Sequence, residues 1–166
     1  DLAAVLPARS VMLHFARIRM FYLEDEDWGA PHDLAFVLQA KEEDQVELID
    51  LGDAEALDKA IMELRSEIAK RGEETEVKLL AGEIYETVFA PFENELEGIE
   101  TIFISPDGYL SLFPFEILVA PDGQYLIEHY TFNYLATSRE MMGFGQAPTQ
   151  AQKSLLMGDP DYEMEM

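Results

Sequence analysis

A chain of 166 residues with 48% hydrophobic and 11% aromatic side chains carries enough apolar material to build one core, which excludes wholesale disorder. Eleven Lys and Arg against 34 Asp and Glu give a formal net charge of -23, the wrong sign for neutralising phosphates, so direct nucleic-acid binding and attachment to anionic membranes do not fit. The absence of cysteine removes disulfides, thiolate metal sites and a cysteine nucleophile from these residues.

The opening "DLAAVLPARS" has no basic region followed by an apolar run, so it does not read as a secretory signal. Its leading Asp, in place of an initiator Met, predicts a segment of a longer polypeptide, and a cytoplasmic location is the default expectation. "VMLHFARIRMFY" over Val11–Tyr22 is rich in aromatic and β-branched residues and predicts a long strand. "LEDEDWGAPHD" breaks that pattern with charge, Gly29 and Pro31 and predicts a loop. "LAFVLQAK" and "QVELIDLG" follow as two short strands, and the three together make an antiparallel meander.

Asp53 is placed to cap a helix whose apolar face is Leu57, Ile61, Leu64 and Ile68, with Gly72 near its end. Val77, Leu80, Ile84 and Val88 mark a second amphipathic helix running towards Pro91. "IETIFIS" returns to strand character, "SPDG" is a turn, and "FPFEIL" is expected to resume the strand. "LVAPDGQYLI" repeats the Pro-Asp-Gly turn as a hairpin, and "EHYTFNYLAT" is a further strand. Ser138 is expected to cap a short helix, "GQAPTQAQK" reads as a linker, and "SLLMGDPDY" as the start of another strand.

No catalytic group can be named from these residues. A nucleophile-base pair would have to use Ser or Thr, and neither a G-x-S-x-G elbow nor an S-x-x-K arrangement is present. Ser105 and Ser111 flank the first Pro-Asp-Gly and are expected to serve in turn and cap hydrogen bonds. His14 reads as a satisfied interior or edge histidine, His32 as a loop residue and His129 as part of a strand connection. None has a second histidine at i+3 or i+4, so no zinc site and no other cofactor is expected. "EDEDWG" and "DPDYEMEM" alternate acidic residues without the frame of a calcium loop and are expected to be solvated.

The run "IFISPDGYLSLFPFEILVAPDGQYLIEHYTFNYLATSREM" resembles the CHAT family, the caspase-like domains found with tetratricopeptide repeats in bacteria. The residues that carry the resemblance are Pro106, Asp107, Gly108, Leu110, Pro114, Phe115 and Leu118, then Asp122, Gly123, Tyr125, Leu126 and Glu128, with Tyr134 and Ser138 closing the run. Gly158, Asp159 and Pro160 in "LLMGDPDY" look like the family's next strand. The strands and helices upstream match in type only. The resemblance implies an α/β fold: a caspase-like mixed sheet flanked by helices, with an N-terminal antiparallel strand meander and two amphipathic helices. It implies a non-catalytic, pseudo-caspase-like part over residues 1–146, a linker over 147–153 and the first strand of the protease layer over 154–166.

Relatives of this kind are similar to caspases and separases, which cut peptide bonds with a Cys-His dyad. The resemblance places that dyad downstream or in another chain, and none of the three histidines matches it. The motif residues therefore read as scaffold, with Leu110, Leu112, Phe113 and Phe115 packing a corner. Asp159 and Asp161 are candidates for contacting a basic substrate residue, and Leu155–Met157 for a partner surface. The implied partners are the remainder of the peptidase with its His and Cys, a protein substrate, and a tetratricopeptide or other regulatory domain, with neither nucleic acid nor membrane. A catalytically inactive CHAT-like interaction module is the alternative, and an acidic ion-binding protein a third reading.

Overall fold

A computed structural model describes residues 2–23, 26–40 and 46–143. After a short helix α1 (Leu2–Val5), two 13-residue strands, β1 (Ser10–Tyr22) and β2 (Asp27–Gln39), form a long antiparallel hairpin. β3 (Val46–Asp53) pairs antiparallel on the far side of β2, completing the expected meander. Helices α2 (Ala54–Ala69) and α3 (Glu74–Val88) then carry the chain back to β4 (Thr101–Ser105), which pairs parallel with β1. β5 (Thr131–Tyr134) pairs parallel with β4, giving the order β3-β2-β1-β4-β5 in one mixed sheet. The fold is thus mixed α/β with a five-stranded sheet and helices on its faces, as the resemblance implies.

Alternation along each strand divides the sheet into two faces. Val11, Leu13 and Phe15 of β1, Ala35 and Val37 of β2, and Ile102 and Ile104 of β4 point one way and are buried. Leu57, Ile61 and Leu64 of α2 and Leu80, Ile84 and Val88 of α3 close over them as the main core. On the reverse face Met12 and Phe103 meet Leu6 and Met141, so that α1 and a 3₁₀ turn at Ser138–Gly143 cover one end. Met20, Val46 and Leu48 remain exposed.

Asp53 caps α2 as expected: its Oδ1 accepts the N–H of Glu55 at 2.8 Å, satisfying a donor the first turn leaves free. The apolar face of α2 is shorter than its periodicity implies. Ile68 is 44% exposed and lines an open depression with Val77, Ile117 and Ile127 instead of joining the core.

Three expectations are corrected. The segment read as a loop, "DWGAPHD", is the first half of β2. β3 flanks β2 only from His32 onward, so the stretch before it is a sheet edge where Pro31 sacrifices no ladder bond. A register shift between Arg19 and Phe21 absorbs the irregularity. "FPFEIL" does not resume a strand. The chain instead takes 3₁₀ turns at Gly108–Leu112 and Phe115–Ile117, which let closely spaced aromatic residues enter the core from one side. Finally, Thr137 rather than Ser138 caps the last 3₁₀ turn, its Oγ1 accepting the Arg139 N–H at 3.1 Å. The linker 147–153 and the segment 154–166 lie outside the described residues.

Candidate functional site

The Pro106-Asp107-Gly108 turn leaves the carboxyl end of β4 and is fastened to β1 by a single carboxylate. Asp107 Oδ1 accepts the Gly108 N–H at 2.8 Å, and Oδ2 accepts the backbone N–H of Arg17 at 3.1 Å. Gly108 has φ +57°, and a Cβ there would stand 3.3 Å from the Arg17 guanidinium carbon, so both conformation and space call for glycine.

Arg17 in turn ties β1 to β2 and α2. Nε and Nη2 donate to the two oxygens of Asp33, both at 2.9 Å, and Nη1 and Nη2 donate to Asp58 at 2.8 and 2.6 Å. Asp33 is 2% exposed. The hydrogen bonds to Asp58 and then to Asp33 hold Arg17 in its charged form well beyond the ordinary arginine range, outweighing its partial burial. With Nε, Nη1 and Nη2 all engaged, this guanidinium organises the fold and has little left to offer a ligand.

The rest of the motif converges on the same core. Leu110, Phe113, Phe115 and Leu118 are buried, and the Phe115 ring lies 5.4 Å from Phe15 and 4.9 Å from Phe113. Leu112, expected in the same corner, is 44% exposed, because the 3₁₀ turn directs it outwards. Pro114 stands exposed immediately before the next 3₁₀ turn, where its fixed φ and missing N–H are tolerated. Tyr134, from the far end of the motif, bonds to the Phe115 N–H and to Glu116. The second Pro-Asp-Gly makes the expected hairpin: Ala120 N–H donates to Gln124 O at 2.9 Å and Val119 bridges Tyr125. Glu128 accepts the Tyr125 N–H at 3.1 Å, closing a 3₁₀ turn at Leu126–Glu128.

The three histidines have separate surroundings. His14 faces the reverse side of the sheet beside Phe36, and its buried Nδ1 has no hydrogen-bond partner, contrary to the expectation that it is satisfied. Ser105 is opposite it in the β1–β4 register, but that nitrogen does not engage it. His32 lies within β2, and its Nδ1 is 2.9 Å from both oxygens of Asp50. The Gly52 N–H, and then His32, hold the Asp50 carboxyl below the ordinary range. His129 Nε2 is 3.2 Å from Asp122. Among the described residues no three of His, Asp and Glu cluster so as to hold a metal ion, and no helix is long and apolar enough to cross a membrane. Asp159, Asp161, Gly158, Pro160 and Leu155–Met157 lie outside the described residues.

Two groupings were not foreseen. One is the Arg17–Asp33–Asp58 cluster, signalled only by an arginine inside an apolar strand. The other is an aromatic and acidic cavity at Tyr85, Glu93, Asp122, His129 and Tyr130. No curated protein matches the chain. The pattern that defines the CHAT domain matches residues 78–166, more than half of the chain, from α3 through both Pro-Asp-Gly turns and β5; the β1–β3 meander lies outside it. The motif that fastens β4 to β1 and threads Phe115 under Tyr134 therefore lies within a match covering most of the sequence, and the chain belongs to the CHAT domain family, a caspase-like, peptidase-related module.

Proposed function

We propose that this chain is the amino-terminal, non-catalytic part of a CHAT-type caspase-like cysteine peptidase, which cleaves a protein substrate under the control of a regulatory partner or repeat domain. The observation that carries the reading is the CHAT match over residues 78–166 in a chain without cysteine. In a cysteine peptidase a thiolate attacks the scissile carbonyl, a histidine moves the proton, and N–H donors stabilise the oxyanion. That thiolate has to come from sequence beyond these residues. Neither Arg17 nor the Pro-Asp-Gly turns are poised for chemistry, and their satisfied hydrogen bonds suit a supporting layer. Asp159 and Asp161 are proposed to meet a basic residue of the substrate, with Leu155–Met157 meeting the catalytic part.

Intact mass measurement of the polypeptides that copurify with this chain from its source, under denaturing conditions, tests the reading. The expected result is a species carrying downstream His and Cys, whose alkylation abolishes cleavage of a protein substrate while the 166-residue chain alone cleaves nothing. If 18.8 kDa is the only species and no thiol probe labels the preparation, the peptidase reading falls and the chain is a binding module.

A further inference from the structure

The cavity between the carboxyl end of α3, the second Pro-Asp-Gly hairpin and the start of β5 encloses roughly 270 Å³. Tyr85 and Tyr130 form its aromatic wall, backed by Phe89 at 5.7 and 6.0 Å between ring centres. Tyr85 is only 3% exposed and belongs to the packed core at the base of the cavity, whereas Tyr130 is half-buried and packs against that core. Glu93 and Asp122 supply the charge. Glu93 lines the same cavity as both tyrosines, and burial, and then its carboxylate, push both tyrosine hydroxyls above their ordinary range. Asp122 is held in position by the Gln124 N–H at 2.9 Å and faces His129.

The occupant has to satisfy both halves of this lining. An anion would meet two carboxylates, with no lysine or arginine among the described residues that line the cavity. A neutral apolar group would strip water from Glu93 and Asp122 and give nothing in return. A flat cation carried on an alkyl stem satisfies both, the stem and the face of the guanidinium lying on the part of Tyr130 left open and its N–H groups meeting the carboxylates. The volume is below that of a typical small-molecule pocket and suits one long side chain. The lip at Ala120–Pro121 is shared with a second, mostly apolar depression whose lining includes Leu79, Gly82, Lys78, Glu83 and Glu86, so a chain lying across the lip has a surface to continue over.

We propose that this cavity binds the guanidinium of an arginine presented by a partner polypeptide. The site is equally compatible with a peptidase subunit and with a pure interaction module, so its failure would not touch the peptidase reading.

The test titrates isotopically labelled 166-residue chain with acetyl-Gly-Arg-Gly-amide, with the same peptide carrying neutral citrulline, and with agmatine, following the Tyr85 and Tyr130 ring resonances. The arginine peptide is expected to bind in the millimolar range and shift both rings, with citrulline and the Glu93→Gln variant each about tenfold weaker. Asp122→Asn, which keeps the acceptor for Gln124, is expected to weaken binding independently, and unchanged thermal melts of both variants show that folding is intact. Equal binding of citrulline, shifts confined to other residues, full affinity in both variants, or no binding would overturn the proposal. Agmatine binding as tightly as the peptide would overturn the polypeptide partner.

Discussion

The Tyr134 hydroxyl accepts the backbone N–H of Phe115 at 2.7 Å and donates to Glu116 Oε2 at 2.7 Å, so one phenol spans the two ends of the matched motif. It satisfies an N–H that the 3₁₀ turn after Pro114 leaves without a helical partner, and it holds the turn that seats Phe115 in the core. Tyr134→Phe keeps the ring and removes both bonds. The expected cost is about 1–2 kcal/mol in urea unfolding. Phe115→Ala, by contrast, empties a fully buried site and is expected to cost about 3–5 kcal/mol. An equal loss in the two variants would mean that the hydroxyl does not carry the junction.

Much of this fold was legible because its signals are local. The Asp53 cap, the three-and-four spacing of Leu57, Ile61 and Leu64, and the apolar run Ile102–Ile104 each announce an element without knowledge of its neighbours. The failures are where topology decides. Pro31 and Gly29 look like a loop until β3 is seen to stop at His32, leaving an edge that tolerates them. Leu112 and Phe113 are adjacent and equally apolar, and only the 3₁₀ geometry sends one out and the other in. Arg17, Asp33 and Asp58 come from three elements, and no spacing in the chain brings them together.

Arg17 is the residue whose loss should be felt most. Arg17→Met preserves the stem and the backbone N–H that Asp107 uses, but leaves Asp33, 2% exposed, charged and uncompensated. A loss of about 3–5 kcal/mol is expected by chemical denaturation. Asp107→Ala removes the turn's attachment to β1 but strands no buried charge, and should cost about 1–2 kcal/mol. The reverse order of the two costs would show that the turn, and not the arginine, is the stronger tie.

His14 offers the opposite sign. Its Nδ1 is buried without a partner beside Phe36, so the polar atom is desolvated with no compensating bond. His14→Leu replaces it with a side chain that asks for none, and is expected to stabilise the chain by about 1 kcal/mol at neutral pH. Thermal unfolding reads this as a rise of a few degrees. A lower melting temperature would mean that His14 has packing or hydrogen bonds that leucine cannot replace.

Alkaline pH tests the aromatic side of the core. Tyr85, Tyr130 and Tyr134 all have hydroxyls held above the ordinary value of 10.0, with burial the first cause in each. For Tyr134 the bond to Glu116 adds to burial, and the Phe115 N–H partly opposes them. A group whose ionisation is harder in the folded state stabilises that state fully below its unfolded value and loses the contribution as pH rises towards its folded value. Folding stability is therefore expected to hold to about pH 10 and to decline above it. Of the seven tyrosines, these three should ionise late, seen at 295 nm as absorbance that lags the ordinary phenol curve and appears together with loss of the near-ultraviolet circular dichroism signal. Tyr134→Phe should remove one of the late equivalents. If all the tyrosine absorbance appeared along a single ordinary curve with the fold intact, the hydroxyls would be open to water and the packing described for Tyr85 and Tyr130 would be wrong.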